Sequence, residues 1–205
     1  TAFENGRPSA GRLSGGLGRF LENRGINPVE VVEGVAVIPI EGSLIHKGGW
    51  VGASSGETSY QGLQTQLAWV ERNRGKLKGA VFEVDSYGGE VSGSFETAAM
   101  IRRLSKIMPT ISILTDFAYS AGYMMASQAR QIVMPKFGGA GSIGVIMVHA
   151  DYSAQYMQDG IKVTIIRSGV QKAKGNPFEA LDDRVAARWQ AEVDAMREEF
   201  AETVS

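Results

Sequence analysis

One serine has a position that could support chemistry. Ser120, in the stretch "DFAYSAGYMMAS" (116–127), follows a strand-like run and precedes small and apolar residues typical of a buried helix. A serine at the first turn of such a helix lies in the field of the helix N-terminus, and the next amide can donate a hydrogen bond. The small neighbours Ala121 and Gly122 leave room for a carbonyl group. The other interpretation is an N-cap, because serine is favoured at that position.

A glycine pair in "DSYGGEVSG" (85–93) also follows a strand-like run. Gly88 and Gly89 can adopt main-chain conformations that are closed to other residues, and they leave amide groups exposed where a helix begins. Such amides can stabilise an oxyanion that develops during a reaction. A glycine-permitted tight turn explains the same pair equally well.

The candidate general bases are few, and a serine hydroxyl is a poor nucleophile until a base takes its proton. His46 opens a glycine-rich loop, and His149 ends a predicted strand with Asp151 nearby. A triad of Ser120, His149 and Asp151 is one hypothesis, although a histidine at a strand end is more often structural.

Lysine is the other candidate base. A buried ammonium group loses its proton more readily, because desolvation disfavours the charge. Lys172 and Lys174 lie in the glycine-flanked segment "RSGVQKAKGNPF" (167–178). Most lysines in such loops are solvated charges, and composition alone ranks neither of the two first.

Strand-like and helix-like segments alternate from residue 31 onward, which is typical of an α/β fold with parallel strands. In such folds ligands collect at the carboxyl ends of strands, where the two stretches above begin. Strands are predicted at 35–40, 79–86, 110–116, 131–135, 142–150 and 161–169, and helices at 59–73, 90–108, 151–158 and 181–204.

Three segments carry further expectations. Pro39 favours an edge position for the strand at 35–40. The Gly/Ser-rich stretch 46–59 predicts a mobile loop. Residues 1–30, rich in glycine and arginine at their start, predict a flexible arm that precedes one globular domain at 31–205.

Composition narrows the classes of function. The 205 residues include 43% hydrophobic and 21% charged residues, which fits a domain with a sizeable core. A net charge of −1 gives no electrostatic reason to bind nucleic acid or an anionic membrane surface. The sequence has no cysteine, so disulfides, a thiol nucleophile and cysteine-ligated metals are excluded. No cofactor or metal is expected.

Five motifs together resemble one protease family. "VAVIPIEGSL", "DSYGGEVSG", "YSAGYMMAS", "GSIGV" and "IRSGVQKAKGNPF" occur in the order found in the signal peptide peptidase A (SppA) family of Ser/Lys-dyad peptidases. The resemblance is greatest to the phage and prophage branch of lambda-type capsid protein C, above all in "MVHADYSAQYMQDGIKVTIIRSGVQKAKGNP". The family fold resembles the crotonase and Clp protease superfamily, so the resemblance implies an α/β fold of stacked ββα units.

By position, the resemblance implies a nucleophile at Ser120 and a general base at Lys172. Lys174 is disfavoured, because "SGVQK" matches the family's lysine motif. Ser142, in "GSIG", matches a position that helps to orient the lysine.

The resemblance also implies an oxyanion hole formed by the amides of Gly89 and Ala121, with Gly88 in a supporting position. Tyr87 stands where the family usually has a proline, which relaxes the main-chain angle at that point.

The implied function is that of a serine endopeptidase that processes scaffold, capsid or portal proteins in the phage procapsid, within the host cytoplasm. The alternatives are a bacterial peptidase that degrades signal peptides, in the cytoplasm or at the membrane periphery, and a non-catalytic capsid component. The expected partners are polypeptides and not nucleic acid, and ring-like oligomers of the superfamily imply self-association. The family's C-terminal segment is expected to be missing after Ser205, which would make the chain a trimmed core.

Overall fold

The computed structural model describes residue 25, residues 27–48 and residues 50–205, with only the backbone of Ala53. The chain divides into two compact units, residues up to Ile143 together with Phe200–Ser205, and residues Gly144–Glu199. Most of the predicted arm, residues 1–24 and 26, lies outside the described residues. The prediction of one domain over 31–205 stays a prediction.

An eight-stranded sheet organises the first unit. Its strands are β1 (Glu30–Val32), β2 (Val35–Ile45), β3 (Ala53–Ser54), β4 (Glu57–Ser59), β5 (Gly79–Gly89), β6 (Thr110–Tyr119), β7 (Gln131–Val133) and β8 (Gly139–Gly141). The order is β3–β4–β2–β5–β6–β7, with β1 beside β2 and β8 beside β6. All pairs are parallel except β1 with β2 and β3 with β4. The predicted α/β fold with a parallel sheet is confirmed.

The described residues form the helices α1 (Tyr60–Asn73), α2 (Ser94–Ile107), α3 (Ala121–Ala126), α4 (Ser153–Gln158) and α5 (Asp183–Val204). Apolar periodicity predicted α1, α2 and α5, and α2 begins at Ser94 and not at residue 90. The predicted face of α1, which includes Leu63, Leu67 and Val70, is buried. Helix α1 begins after Ser59, whose side chain accepts a hydrogen bond of 3.0 Å from the amide of Gly62. This bond satisfies one of the amides that a helix start leaves unpaired.

The core of the first unit lies on one face of the sheet. Along β5 the side chains alternate, so that Phe82 and Val84 are buried whereas Glu83 and Tyr87 are exposed. Phe200, in the last turns of α5, is also buried in this core. The same alternation continues to the carboxyl end of β5, where the glycine pair lies.

Two predicted strands are wrong. Residues 142–150 and 161–169 adopt no strand in the structure. Both stretches have the β-branched composition of strands, but a strand also needs a neighbour for its backbone groups. No strand among the described residues pairs with either stretch. Several of their apolar side chains, including Ile146 and Ile166, are exposed.

The two expectations around β2 also need correction. The segment 46–59, predicted as a loop, contains β3 and β4, because Glu57–Ser59 pairs with the end of β2. Strand β2 is internal and not an edge strand. Pro39 nevertheless lies between the residues that pair with β1 (35–37) and those that pair with β4 (43–45). A residue without an amide hydrogen is tolerated at such an interruption.

Candidate active site

Ser120 lies at the junction of β6 and α3. Its amide donates to the carbonyl of Gly141 (2.8 Å), and its carbonyl accepts from the amide of Met124 (3.0 Å). These bonds hold a backbone with φ 50° and ψ −127°. Positive φ is uncommon for a residue with a side chain, and such strain concentrates at functional sites. The sequence prediction of a serine between a strand and a helix is therefore confirmed in position.

The N-cap interpretation of this serine is not supported. Ser120 occupies the N-cap position of α3, but its side chain makes no capping hydrogen bond. By contrast, Ser59 at the start of α1 does cap its helix. Ser120 is half-buried, and its hydroxyl is not used to cap α3.

Gly88 brings β5 into contact with Ser120. Its φ is +99°, and a Cβ built on it would lie 2.6 Å from Ser120 Cβ and 3.0 Å from the amide nitrogen of Ala121. Only glycine fits this position without a shift of the neighbouring backbone. The glycine pair is the end of a strand and not an isolated turn. Gly89 is equally confined, because its Cβ would overlap the main chain of Leu44.

Ser86 is a structural residue that the sequence did not single out. Its buried hydroxyl donates to the carbonyl of Gly42 (2.6 Å) and accepts from the amide of Gly88 (3.1 Å). A Cβ on Gly122 would lie 2.8 Å from the carbonyl oxygen of Ser86. The only sequence signal is a serine at an inward position of a buried strand. Because Ser86 engages the amide of Gly88, this amide is not a candidate oxyanion donor.

The two candidate lysines differ in their surroundings. Both belong to the second unit, whereas Ser120 belongs to the first. Lys174 Nζ lies 3.3 Å from a carboxylate oxygen of Asp182 and forms an ion pair with it. The side chain of Lys172 is exposed, and its amide donates to the carbonyl of Gly169 (3.0 Å). The pairing of Lys172 with Ser120 stays a prediction.

Ser142, the predicted orienting residue, follows β8. It is exposed and has a φ of 58°. Gly141, directly before it, accepts the hydrogen bond from Ser120. Ser142 therefore directly follows the residue that binds the main chain of Ser120. Its predicted role in orienting a lysine side chain stays a prediction.

The histidines have other partners. His149 Nε2 lies 3.0 Å from the carbonyl oxygen of Asn176. Asp151 accepts from the amide of Ser153 (2.8 Å), and hydrogen bonds from Ser153 hold the pKa of this carboxyl below its usual value. In the first unit, the main-chain amide of His46 donates to Glu90 Oε2 (2.6 Å). These contacts favour the structural interpretation of His149 over the triad.

Neither a metal site nor a membrane span is found in the part of the chain that the structure describes. Its histidine, aspartate and glutamate side chains form no group of three that could hold a metal ion. None of its helices combines the length and the apolar character needed to cross a bilayer.

Comparison with known proteins places the chain in a family. The model of peptidase family S49 matches residues 102–205, the half of the chain that contains Ser120 and Lys172. The chain belongs to peptidase family S49. The chain is 37% identical over 175 residues to the head-tail preconnector protein GP5 of Enterobacteria phage P21. It is 35% identical over 176 residues to the capsid assembly protease C of Escherichia phage lambda.

The chain spans less than half of the length of these two phage proteins. The alignments cover 85% and 86% of this chain, but 35% and 40% of the relatives. A more distant relative, 28% identical over 135 residues, is the chloroplastic serine protease SPPA of Arabidopsis thaliana, of which 20% is covered.

Solved structures with a similar chain course include a membrane-bound stomatin-specific protease in complex with a substrate peptide. It is 17% identical, with a TM-score of 0.42 over 83% of this chain and 65% of that one. An enoyl-CoA hydratase from Shewanella pealeana is 11% identical, with a TM-score of 0.37 over 86% of this chain and 77% of that one.

Proposed function

We propose that this S49 member is a serine endopeptidase in which Ser120 is the nucleophile and Lys172 the general base. The observation that carries the proposal is the backbone conformation of Ser120 together with its free position at the start of α3. Its backbone is held at positive φ between a strand and a helix, and its hydroxyl is left out of the helix cap. Because Gly88 has no side chain, the space next to the side chain of Ser120 stays open. A fixed, accessible hydroxyl is the first requirement for nucleophilic catalysis.

The chemistry follows from these roles. Neutral Lys172 takes the proton of Ser120 Oγ, and the oxygen attacks the substrate's peptide carbonyl. The negative charge that develops on the carbonyl oxygen is stabilised by the amides of Gly89 and Ala121. The C–N bond then breaks, and the leaving amine receives the proton from the Lys172 ammonium. A water molecule, deprotonated by neutral Lys172, hydrolyses the acyl-enzyme and frees Ser120.

The ion pair of Lys174 supports the choice of Lys172. The Nζ atom of Lys174 lies 3.3 Å from a carboxylate oxygen of Asp182, so this side chain is directed at a partner within its own unit. We assign to Ser142 the role of orienting the side chain of Lys172.

The names of the two phage relatives support a role in procapsid maturation. One is a capsid assembly protease and the other a head-tail preconnector protein. The proposed substrates are scaffold, capsid or portal proteins inside the procapsid, in the host cytoplasm. The protein acts there as a homo-oligomer.

Labelling with a fluorophosphonate, read by mass spectrometry, tests the nucleophile and the base. The wild-type protein should carry one adduct, on Ser120, and Lys172→Ala should remove it. Lys174→Ala and His149→Ala are the matched controls and should label like the wild type. Loss of labelling in His149→Ala with retention in Lys172→Ala would revive the triad.

Co-expression with scaffold or portal protein tests the substrate class. Fragments should form with the wild type and disappear with Ser120→Ala. Uncleaved partners, together with normal assembly of Ser120→Ala particles, would instead identify a non-catalytic capsid component.

A further inference from the structure

Three aromatic side chains form a cluster near the carboxyl ends of β5 and β6. The rings of Tyr87 and Phe117 are 5.4 Å apart between centroids, those of Tyr87 and Tyr119 are 5.8 Å apart, and those of Phe117 and Tyr119 are 5.7 Å apart. We call Tyr87, Phe117 and Tyr119 the aromatic shelf. Tyr87 is 68% exposed, and the other two residues are half-buried. Tyr87 is therefore open to solvent, and none of the three rings belongs to the buried core.

Strand geometry places the shelf on the face opposite the core. Successive side chains of a strand point to opposite faces, and Ala118, between two of the rings, is fully buried. Strands β5 and β6 are neighbours, and Ser86 pairs with Ala118, which brings Tyr87 beside Tyr119. On the far side, β8 presents glycines to the shelf, because Phe117 pairs with Gly139.

The glycine of β8 makes room for one ring. A Cβ on Gly139 would overlap the hydroxyl of Tyr119. The side chain of Tyr119 thus extends over bare backbone. A glycine at this position costs strand stability, and close approach by a side chain is a reason to keep it.

The shelf borders the nucleophile on both strands. Tyr119 directly precedes Ser120, and Tyr87 directly precedes Gly88, which contacts Ser120. Consecutive Cα atoms are about 3.8 Å apart, so the main chains of Tyr119 and Tyr87 lie next to those of Ser120 and Gly88.

We propose that the aromatic shelf binds an apolar side chain of the polypeptide substrate, preferably an aromatic one, close to the scissile bond. The proposal rests on the proposed function of Ser120. Exposed rings gain from burial, and a fourth ring can join the cluster in the tilted geometry that its members already adopt. Tyr87, the most exposed of the three rings, becomes a specificity-determining residue.

Peptide binding to the inert Ser120→Ala protein tests the shelf without catalysis. Labelled peptides differ only in phenylalanine or alanine at one position, which is moved along the sequence, and fluorescence anisotropy gives Kd. At one position, phenylalanine should bind about 3- to 10-fold more tightly, the range for one aromatic contact. Adding Tyr87→Ala should abolish this preference, whereas Tyr87→Phe should retain it.

Ile107→Ala is the matched control. Ile107 is 48% exposed and lies before the start of β6, whereas the shelf lies at its end. Ten residues of strand separate the two sites by about 30 Å. The phenylalanine preference should survive this change.

Three results would overturn the shelf. These are the lack of any phenylalanine preference, a preference that persists in Tyr87→Ala, and a change in molecular mass by light scattering in Tyr87→Ala with unchanged Kd. The last would make the shelf an interface between copies of this chain.

The wild-type fluorophosphonate reaction separates this test from the proposed function, because labelling without a phenylalanine preference contradicts the shelf alone. A phenylalanine preference without labelling contradicts the nucleophile alone.

Discussion

Replacing Gly88 by alanine probes the contact that places Ser120. The new methyl carbon would lie 2.6 Å from Ser120 Cβ, and 3.0 Å from both Ser120 Oγ and the Ala121 nitrogen. Two carbon atoms in ordinary contact are about 3.5–4.0 Å apart. Ser120 or β5 must therefore move by about 1 Å to accept the methyl group.

Two terms contribute to the loss of stability. A residue with a side chain at positive φ costs about 1–2 kcal/mol, and overpacking costs about 1–3 kcal/mol. The sum is about 2–5 kcal/mol in the free energy of unfolding. A displacement of about 1 Å at a reacting group lowers the rate about 100-fold. Gly88→Ala should therefore reduce both stability and the rate of fluorophosphonate labelling.

Gly56→Ala separates the two terms. Gly56 has a φ of +77°, but a Cβ there would meet nothing within 4 Å. This variant should lose only the backbone term, about 1–2 kcal/mol, and keep the wild-type labelling rate. Urea denaturation and the labelling rate are measured for both variants. Equal midpoints and equal rates for Gly88→Ala and Gly56→Ala would refute the inference that the Gly88 contact positions the nucleophile.

Three further perturbations test the surroundings of the site. Ser86→Ala leaves the carbonyl of Gly42 and the amide of Gly88 without their partner, which should cost about 1–3 kcal/mol in urea denaturation; an unchanged midpoint would contradict this role. Burial, and then the charge of Glu90, raise the pKa of Tyr60, so its hydroxyl stays protonated and donates to the carbonyl of Glu90 (2.8 Å). Tyr60→Phe should lower the free energy of unfolding by about 0.5–1.5 kcal/mol in urea denaturation, and an unchanged free energy of unfolding would contradict this role. Labelling rates measured from pH 5 to 9 should rise with pH, because a lysine base must first lose its proton, and a flat profile would argue against a lysine.

Local pattern was enough to predict much of the frame of the site. The helical spacing of Leu63, Leu67 and Val70 predicted the buried face of α1, because a helix buries residues three and four apart. Ser120 and the glycine pair were both predicted to follow strands. Ser120 does follow β6, whereas the glycine pair is itself the carboxyl end of β5. The assignment of Lys172 came from resemblance alone and depends on the labelling experiment.

Non-local pairing accounts for the errors. Residues 142–150 have the composition of a strand, yet in the described structure no strand pairs with them. Conversely, Glu57–Ser59 looked like part of a loop and became β4 because the end of β2 is beside it. Strand propensity reflects the neighbours that a residue meets, which a single segment does not contain.

The sequence by itself determined a serine between a strand and a helix and the absence of thiol chemistry, since these follow from residue type and short-range period. It predicted the glycine pair directly after a strand, whereas the pair forms the last two residues of β5. Only the tertiary structure decided that Gly88 contacts Ser120, that Ser86 ties the glycine strand to Gly42, and that Tyr87 joins two rings of β6. Each of these contacts joins residues far apart in the chain. They exist because the parallel sheet aligns the ends of β5 and β6, an arrangement that depends on the register of whole strands.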